Sequence, residues 1–311
     1  MIDIKFLESL PKSINVINNA SMSNYNSFKV GGICPLLLEC YEEEDISIVL
    51  KYLIQNNIKN IVIGEGTNLL VSDSGLDCVV VKFCTSFSSK IKINEDIVTV
   101  PAQLLLSDFV IQAIKSNLGD ITFLSGIPGT VGGAIAGNAG AFGQQIGDVL
   151  IDVEVIDING KIHKIKKEDL NFSYRSSYFK SCSDIILNAS FKLNRTNENK
   201  MNNKRNEILN LRSQKHPDWK NKPCAGSVFR NIEPSSAAEK RKAAGWFLEQ
   251  SGVKDFKEGK AFVYDKHANI IIAGPGSTAS DIYFLSERMK DAVFKKFNIK
   301  LIREIQLLGS F

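Results

Sequence analysis

Histidine is scarce in this chain: three among 311 residues, at positions 163, 216 and 267, far apart. Six cysteines stand at 34, 40, 78, 84, 182 and 224, none in a CxxC pair and each beside apolar or small residues. Zinc sites need clustered histidine and cysteine, so no metal is expected, and the thiols read as reduced filler of a cytosolic core. Hard chemistry then falls to an organic cofactor or to ordinary side chains. No apolar run reaches the ~18 residues of a membrane span. The opening MIDIKFLESLPKS lacks the charged start and apolar stretch of a signal peptide. A cytoplasmic protein without a membrane partner is the expectation. Charge of one sign is missing too: 38 basic against 34 acidic residues leave a net +4, too balanced for nucleic acid as the main partner. The basic residues thicken between Arg195 and Lys222, which reads as a solvated helix and loop.

Glycine is abundant in one place. Seven of the 22 glycines fall between Gly126 and Gly143, in SGIPGTVGGAIAGNAGAFG, where ordinary usage of ~7% predicts about one. Glycine permits positive φ and close backbone approach. Successive exposed N–H groups in such turns make an anion nest, and a phosphate fits one. Tight turns or a close-packed GxxxG helix (Gly133 to Gly137) are the other readings. Pro128, Asn138 and the glycine density speak against the helix. A P-loop and a Rossmann GxGxxG after a strand are both absent. A second glycine loop, GEGTN at 64–68, follows an apolar strand. By itself it is a plain turn; with the first loop it could hold the other end of one long phosphate-containing cofactor.

The rest reads as α+β, with hairpins rather than regular βαβ alternation. Apolar periodicity predicts helices over 44–57, about 105–114, 237–250 and from Thr278 onward, where Thr278 and Asp281 match a capping box. Strands are predicted at 78–83, 90–102, 152–166 with a turn at Asn159-Gly160, 184–193, within 260–274, and at the terminal IKLIREIQLL. The polar NRTNENKMNNKRNE suggests a boundary near residue 200, giving regions 1–200 (roughly 1–85 and 86–200) and 201–311.

Three more positions could carry chemistry. SYRSS (173–177) sets Arg175 among hydroxyls; its fork suits a carboxylate or phosphate, and a surface ion pair is the commoner case. CAGSVFRN (224–231) is a small-residue loop carrying Ser227. Glu304 shares a predicted strand face with Ile302 and Gln306, so burial with a raised pKa is expected unless the edge is exposed.

Taken in order, SFKVGG (27–32), IGEGTNLLVSD (63–73), SGIPGTVGGAIAGNAGAFG, FSYRSS (172–177), AGSVFRN (225–231), KHANIII (266–272) and REIQLLG resemble the UDP-N-acetylenolpyruvoylglucosamine reductases, also called UDP-N-acetylmuramate dehydrogenases. The resemblance spans Phe28 to Gly309. It implies an FAD-binding fold of the vanillyl-alcohol oxidase/p-cresol methylhydroxylase type in two subdomains, followed by an α+β substrate domain. It implies FAD and NADPH, hydride transfer through flavin N5, and reduction of an enolpyruvyl ether to a lactyl ether for peptidoglycan. The cofactor would meet Gly31, Gly64, Gly66, Thr67, Asn68 and Leu69 around the second loop. Around the first it would meet Gly126, Ile127, Gly129, Thr130, Gly132, Gly133, Asn138 and Gly140.

By the same resemblance, Arg175 polarises the substrate carboxylate, Glu304 assists it and Ser227 gives the proton. Tyr174, Asn231 and His267 fall to the UDP-sugar, with His267 and Asn269 equally open to a structural role. A monomer is expected. Gln103, Thr122, Gly137, Asp255, Tyr264 and Ala273 depart from the family pattern, and the short stretch from Arg175 to Asn194 resembles the compact subgroup without a tyrosine loop. A flavin oxidase of the same fold and a non-catalytic flavin-binding regulator are the rival readings.

Overall fold

A computed structural model describes residues 3–86, 89–119, 121–234 and 241–311. The chain forms two compact units. The first holds Met1–Asn18, Leu36–Glu65 and Cys78–Arg212; the second holds Asn19–Pro35, Gly66–Asp77 and Ser213–Phe311. This differs from one cut near residue 200: two early segments join the late one. Their apolar side chains explain why. Phe28, Val30 and Leu70 are buried in one cluster with Phe229, Leu248, Ile271 and Ile305.

The first unit carries two larger sheets besides the two-stranded pairing of Gly140–Ala141 with Gln144–Gln145. Strands Ile33–Cys40, Val79–Phe83 and Asn60–Ile63 run parallel, with Val79–Phe83 in the middle and Asn15–Ser21 at one edge. Helix Glu43–Gln55 makes the crossover and buries Ile46, Val49, Leu50 and Leu53, the face predicted from spacing. One parallel crossover thus stands beside the expected hairpins. A central parallel strand is covered on both faces, and Val79, Val80 and Val81 are all buried. The second sheet is a five-stranded antiparallel array in the order Ile162–Lys166, Leu150–Ile156, Ile185–Lys192, Ile97–Pro101, Lys92–Asn94. Its outer turn uses Gly160 at φ 75°, while Asn159 stays at negative φ. The N–H of Gly160 bonds the Asp157 carbonyl at 2.9 Å, a type I turn closed by glycine rather than the two-residue turn Asn-Gly suggests. Helix Leu106–Lys115 lays Phe109 against Phe191, ring centroids 4.9 Å apart.

In the second unit, helix Ala279–Phe297 buries Ile282, Leu285, Met289 and Val293, and the Thr278–Asp281 capping box forms. Helix Ala244–Gln250 is shorter than expected: 237–240 lie outside the described residues, and Gly252 at φ 72° follows its end. Strand Leu69–Val71 pairs in parallel with Gln306–Leu308. The terminal strand is therefore three residues long, not ten. Ile302 is 64% exposed and Glu304 half-buried, so the shared buried face expected for Glu304 does not form. Among the described residues no helix is long and apolar enough to cross a membrane.

Phe109→Ala, which empties a fully buried site, should lower unfolding free energy by about 3–5 kcal/mol, read as a shifted urea midpoint.

Candidate functional site

In the first unit the glycine-rich stretch, the Gly64 turn and the Arg175 turn meet. Gly126 and Gly129 take φ 74° and 118°, where a side chain is strained. Among the described residues no backbone carbonyl accepts from the N–H of either, as an anion nest requires. Gly132 and Gly140 have another reason to lack side chains: a Cβ at Gly132 would lie 3.0 Å from Ala102 Cβ, and one at Gly140 would overlap the Gln144 carbonyl. The stretch also contains a six-residue helix, Val131–Ala136, with Thr130 accepting from the Gly133 N–H at 3.2 Å. The glycine density did not prevent it because the Thr130 cap and the buried side chains of Val131, Ala134 and Ile135 hold it in place.

The two loops touch. A Cβ at Gly64 would lie 2.6 Å from Thr130 Oγ1. Lys82 donates to the Gly64 carbonyl at 3.4 Å and pairs with Glu65 at 2.7 Å. Open amides at positive-φ glycines beside a closely packed second loop fit a cofactor with a pyrophosphate. Gly31 and Gly66, in the second unit, are tied to chain packing. A Cβ at Gly31 would lie 2.9 Å from Val71 Cβ, and one at Gly66 would overlap the Tyr25 carbonyl.

Asn138 joins the glycine stretch to the arginine. It is fully buried with φ 43°. Its amide donates to Ser173 O at 2.8 Å and Gln145 Oε1 at 2.9 Å, and its oxygen accepts from the Gly147 N–H at 3.2 Å. Ser177 Oγ donates to Ala136 O at 2.8 Å. Between these ties Ser173 and Ser176 exchange two backbone bonds of 3.1 Å, and Arg175 sits at φ 55° on the turn they close. That conformation costs about 1–2 kcal/mol for a non-glycine residue. Arg175 Nη2 reaches Gly140 O at 3.0 Å, and its guanidinium lies 5.3 Å from the Tyr174 ring. A strained, braced arginine is what an active site stores. Both amide protons of Asn138 are thus spent inside the protein, as positioning bonds.

The second unit brings Ser227 and Glu304 together. Ser227 forms an isolated bridge with Ile270, and the Glu304 N–H bonds Val228 O at 2.8 Å. Asn269, 2% exposed, accepts from the Phe229 N–H and donates to Phe229 O at 2.9 and 2.8 Å. Asn68 Nδ2 holds Glu304 O at 3.0 Å, and the Gln306 N–H bonds Asn68 O at 2.9 Å. The side chain assigned to the cofactor thus braces Glu304, while Thr67 and Leu69 continue the same loop, with Ser27 Oγ on Thr67 O at 3.3 Å. Asn231 Oδ1 accepts from the Ala244 N–H at 3.1 Å. His267 Nδ1 accepts from the Asn269 N–H at 3.2 Å. Burial holds His267 below the ordinary value of 6.5, Lys215 and Lys254 add to this, and Glu249 opposes it. Spacing alone did not mark Asp73, which caps helix Ala279–Phe297 through Ala279 N, Ser280 N and Ser280 Oγ at 2.7–2.9 Å. Nor did it mark Arg212, which reads as one more cation of the basic stretch. Among the described residues no cluster of three His, Cys, Asp or Glu side chains could hold a metal.

Asn138→Ala should cost about 3 kcal/mol by chemical denaturation, because it strands a buried amide and a buried carbonyl. The lowered pKa of His267 means that the unfolded chain binds more protons in acid. Stability present above about pH 6.5 is then lost as the pH falls toward the folded value. Thermal midpoints should fall more steeply below about pH 6.5 in the native protein than in His267→Gln; equal slopes would count against it.

Two family profiles match: "FAD binding domain" over residues 35–166 and "UDP-N-acetylenolpyruvoylglucosamine reductase, C-terminal domain" over 217–308. The chain is 36% identical over 309 residues to a UDP-N-acetylenolpyruvoylglucosamine reductase of Clostridium novyi, covering 99% of this chain and 97% of the relative. It is 35% identical to that of Carboxydothermus hydrogenoformans, covering 98% of each. A crystal structure of the Thermus caldophilus reductase superposes with a TM-score of 0.77 at 25% identity, over 95% of this chain and 99% of that one. Full-length identity at this level, together with a profile that starts ten residues before Ser227 and ends after Glu304, assigns the chain to the UDP-N-acetylenolpyruvoylglucosamine reductase family.

Proposed function

We propose that this protein reduces the enolpyruvyl ether of UDP-N-acetylenolpyruvoylglucosamine to the lactyl ether of UDP-N-acetylmuramate, a peptidoglycan precursor, with NADPH as reductant. Bound FAD supplies the two-electron carrier that takes a hydride from the nicotinamide and gives it to the terminal vinyl carbon. The chain's own residues do the rest. Hydride addition drives negative charge toward the substrate carboxylate, and Arg175, fixed on its turn, stabilises that charge. Glu304 assists at the same carboxylate. Ser227 gives a proton to the neighbouring carbon. A serine hydroxyl is a weak acid, so its placement matters more than its pKa, and Asn269 supplies that placement through Phe229. Asn231 and His267 face the nucleotide end in this reading, with Tyr174 beside Arg175.

The observation that carries the proposal is the convergence of Ser227 and Glu304. They are far apart in sequence, yet one hydrogen bond of 2.8 Å joins the Glu304 N–H to the residue after Ser227. Family membership supports the substrate, and the Gly126–Gly129 amides support a bound dinucleotide. The protein is read as a monomer of the cytoplasm.

Purified protein loaded with FAD should bleach at the flavin band on mixing with NADPH and recover its colour on adding the enolpyruvyl UDP-sugar. Ser227→Ala should bleach normally and recover ~10²-fold more slowly or worse. Recovery at the native rate would remove the serine from its role as acid.

A further inference from the structure

The segment Leu301-Ile302-Arg303-Glu304-Ile305 has apolar residues at both odd and even positions. It pairs with the Ser227 loop through an isolated bridge of Arg303 with Phe229, flanked by bonds from Arg230 N–H to Ile302 O at 2.9 Å and from Glu304 N–H to Val228 O at 2.8 Å. Successive side chains of such a chain point to opposite sides. Apolar spacing therefore does not decide which face turns inward, and a slip of one residue would exchange them. The inward set is Leu301, Arg303 and Ile305: the apolar pair are each 4% exposed and the Arg303 side chain 15%, while Ile302 is open. Helix Ala279–Phe297 holds the charged member of that face. Arg303 Nε and Nη2 donate to Ser286 Oγ at 3.0 and 2.9 Å. Ser286 is fully buried, and its own hydroxyl donates to Tyr283 O at 2.6 Å, so its donor and both acceptor sites are used. Arg303 Nη2 also pairs with Glu287, and the guanidinium lies 4.7 Å from the Tyr283 ring centroid.

An arginine on an inward face is costly unless its fork is matched. Here the match exists in one phase of the chain only. Were Ile302 to turn inward instead, the guanidinium would lose Ser286, Glu287 and the Tyr283 face together. A buried polar contact of this kind supplies register more than stability. We propose that Arg303 is a positioning residue for the reduction: docked on Ser286 and Glu287, it fixes the phase of the terminal segment and so holds the Glu304 carboxyl on the opposite, outward face. The assignment rests on the role given to Glu304 above. Asn68 and Val228 hold the backbone of Glu304, through groups that any residue there would offer. Arg303 decides to which side the Glu304 side chain leaves that backbone. It acts through Glu304 and has no chemical step of its own.

The test follows reoxidation of the NADPH-reduced, FAD-loaded protein by the enolpyruvyl UDP-sugar, in stopped flow or, for slow variants, by manual mixing. Arg303→Met, which keeps an apolar stem and loses the fork, should lower the limiting rate about tenfold with little change in the half-saturating sugar concentration. In a Glu304→Ala background the same substitution should add no further loss, because no carboxyl is left to place. Ser286→Ala removes the hydroxyl that accepts both fork bonds and leaves the arginine its partner Glu287. It should show the same pattern at smaller size, and it carries the test if Arg303→Met does not fold. Equal losses with and without the Glu304 carboxyl would make Arg303 a part of the fold only and overturn the inference. A native limiting rate in Arg303→Met would do the same. A native rate in Glu304→Ala alone would remove the role given to Glu304, and this assignment with it. If the sugar does not reoxidise the native protein, the functional reading fails first.

Discussion

One buried carboxamide holds the first unit's site together. Asn138 joins the glycine-rich stretch to the Ser173–Ser176 turn and to the Gly147 amide. Without such a tie the Arg175 turn would be an exposed loop on a surface arginine, free to relax its positive φ. Buried polar groups must be paired, and here the need for pairing itself fixes the geometry. Three backbone segments meet on one side chain, and each loses a partner if any of them moves. Ser177 on Ala136 and Arg175 on Gly140 repeat the connection on either side.

The second unit solves the same problem with two other asparagines. Asn269 clamps both backbone groups of Phe229, and Asn68 clamps the carbonyl of Glu304. The Ser227 hydroxyl and the Glu304 carboxyl thus ride on backbone held by side-chain amides rather than by long ladders. The strand there is only three residues long. The strand begins only at Gln306, so Glu304 lies just before the ladder with its side chain outside it.

Charge is arranged with similar economy. The chain is nearly neutral, yet the Arg212 guanidinium is drawn in over Gly126, where its Nε is buried. Lys82, by contrast, is matched at 2.7 Å by Glu65 under the second glycine loop. The matched pair shapes a loop.

Much of this was legible before any coordinates. Helix faces at 43–55 and 279–297 follow from apolar spacing, because burial of one stripe is a local property of a 3.6-residue repeat. The Thr278–Asp281 cap is equally local. The glycine cluster announced an unusual backbone, and the ordered motifs announced the family. The separate duties of the glycines were not legible. Gly129 serves conformation, Gly132 and Gly140 serve packing and Gly126 serves both, and identical residues cannot say which. The sequence likewise could not show that Asn68 braces Glu304 across 236 positions, or that Arg212 leaves the basic surface to lie on Gly126. Residue types and local periodicity determine which elements form and which chemistry is available. Only the tertiary fold decides which distant backbone groups need a partner, because that need arises when folding removes the water that would otherwise satisfy them.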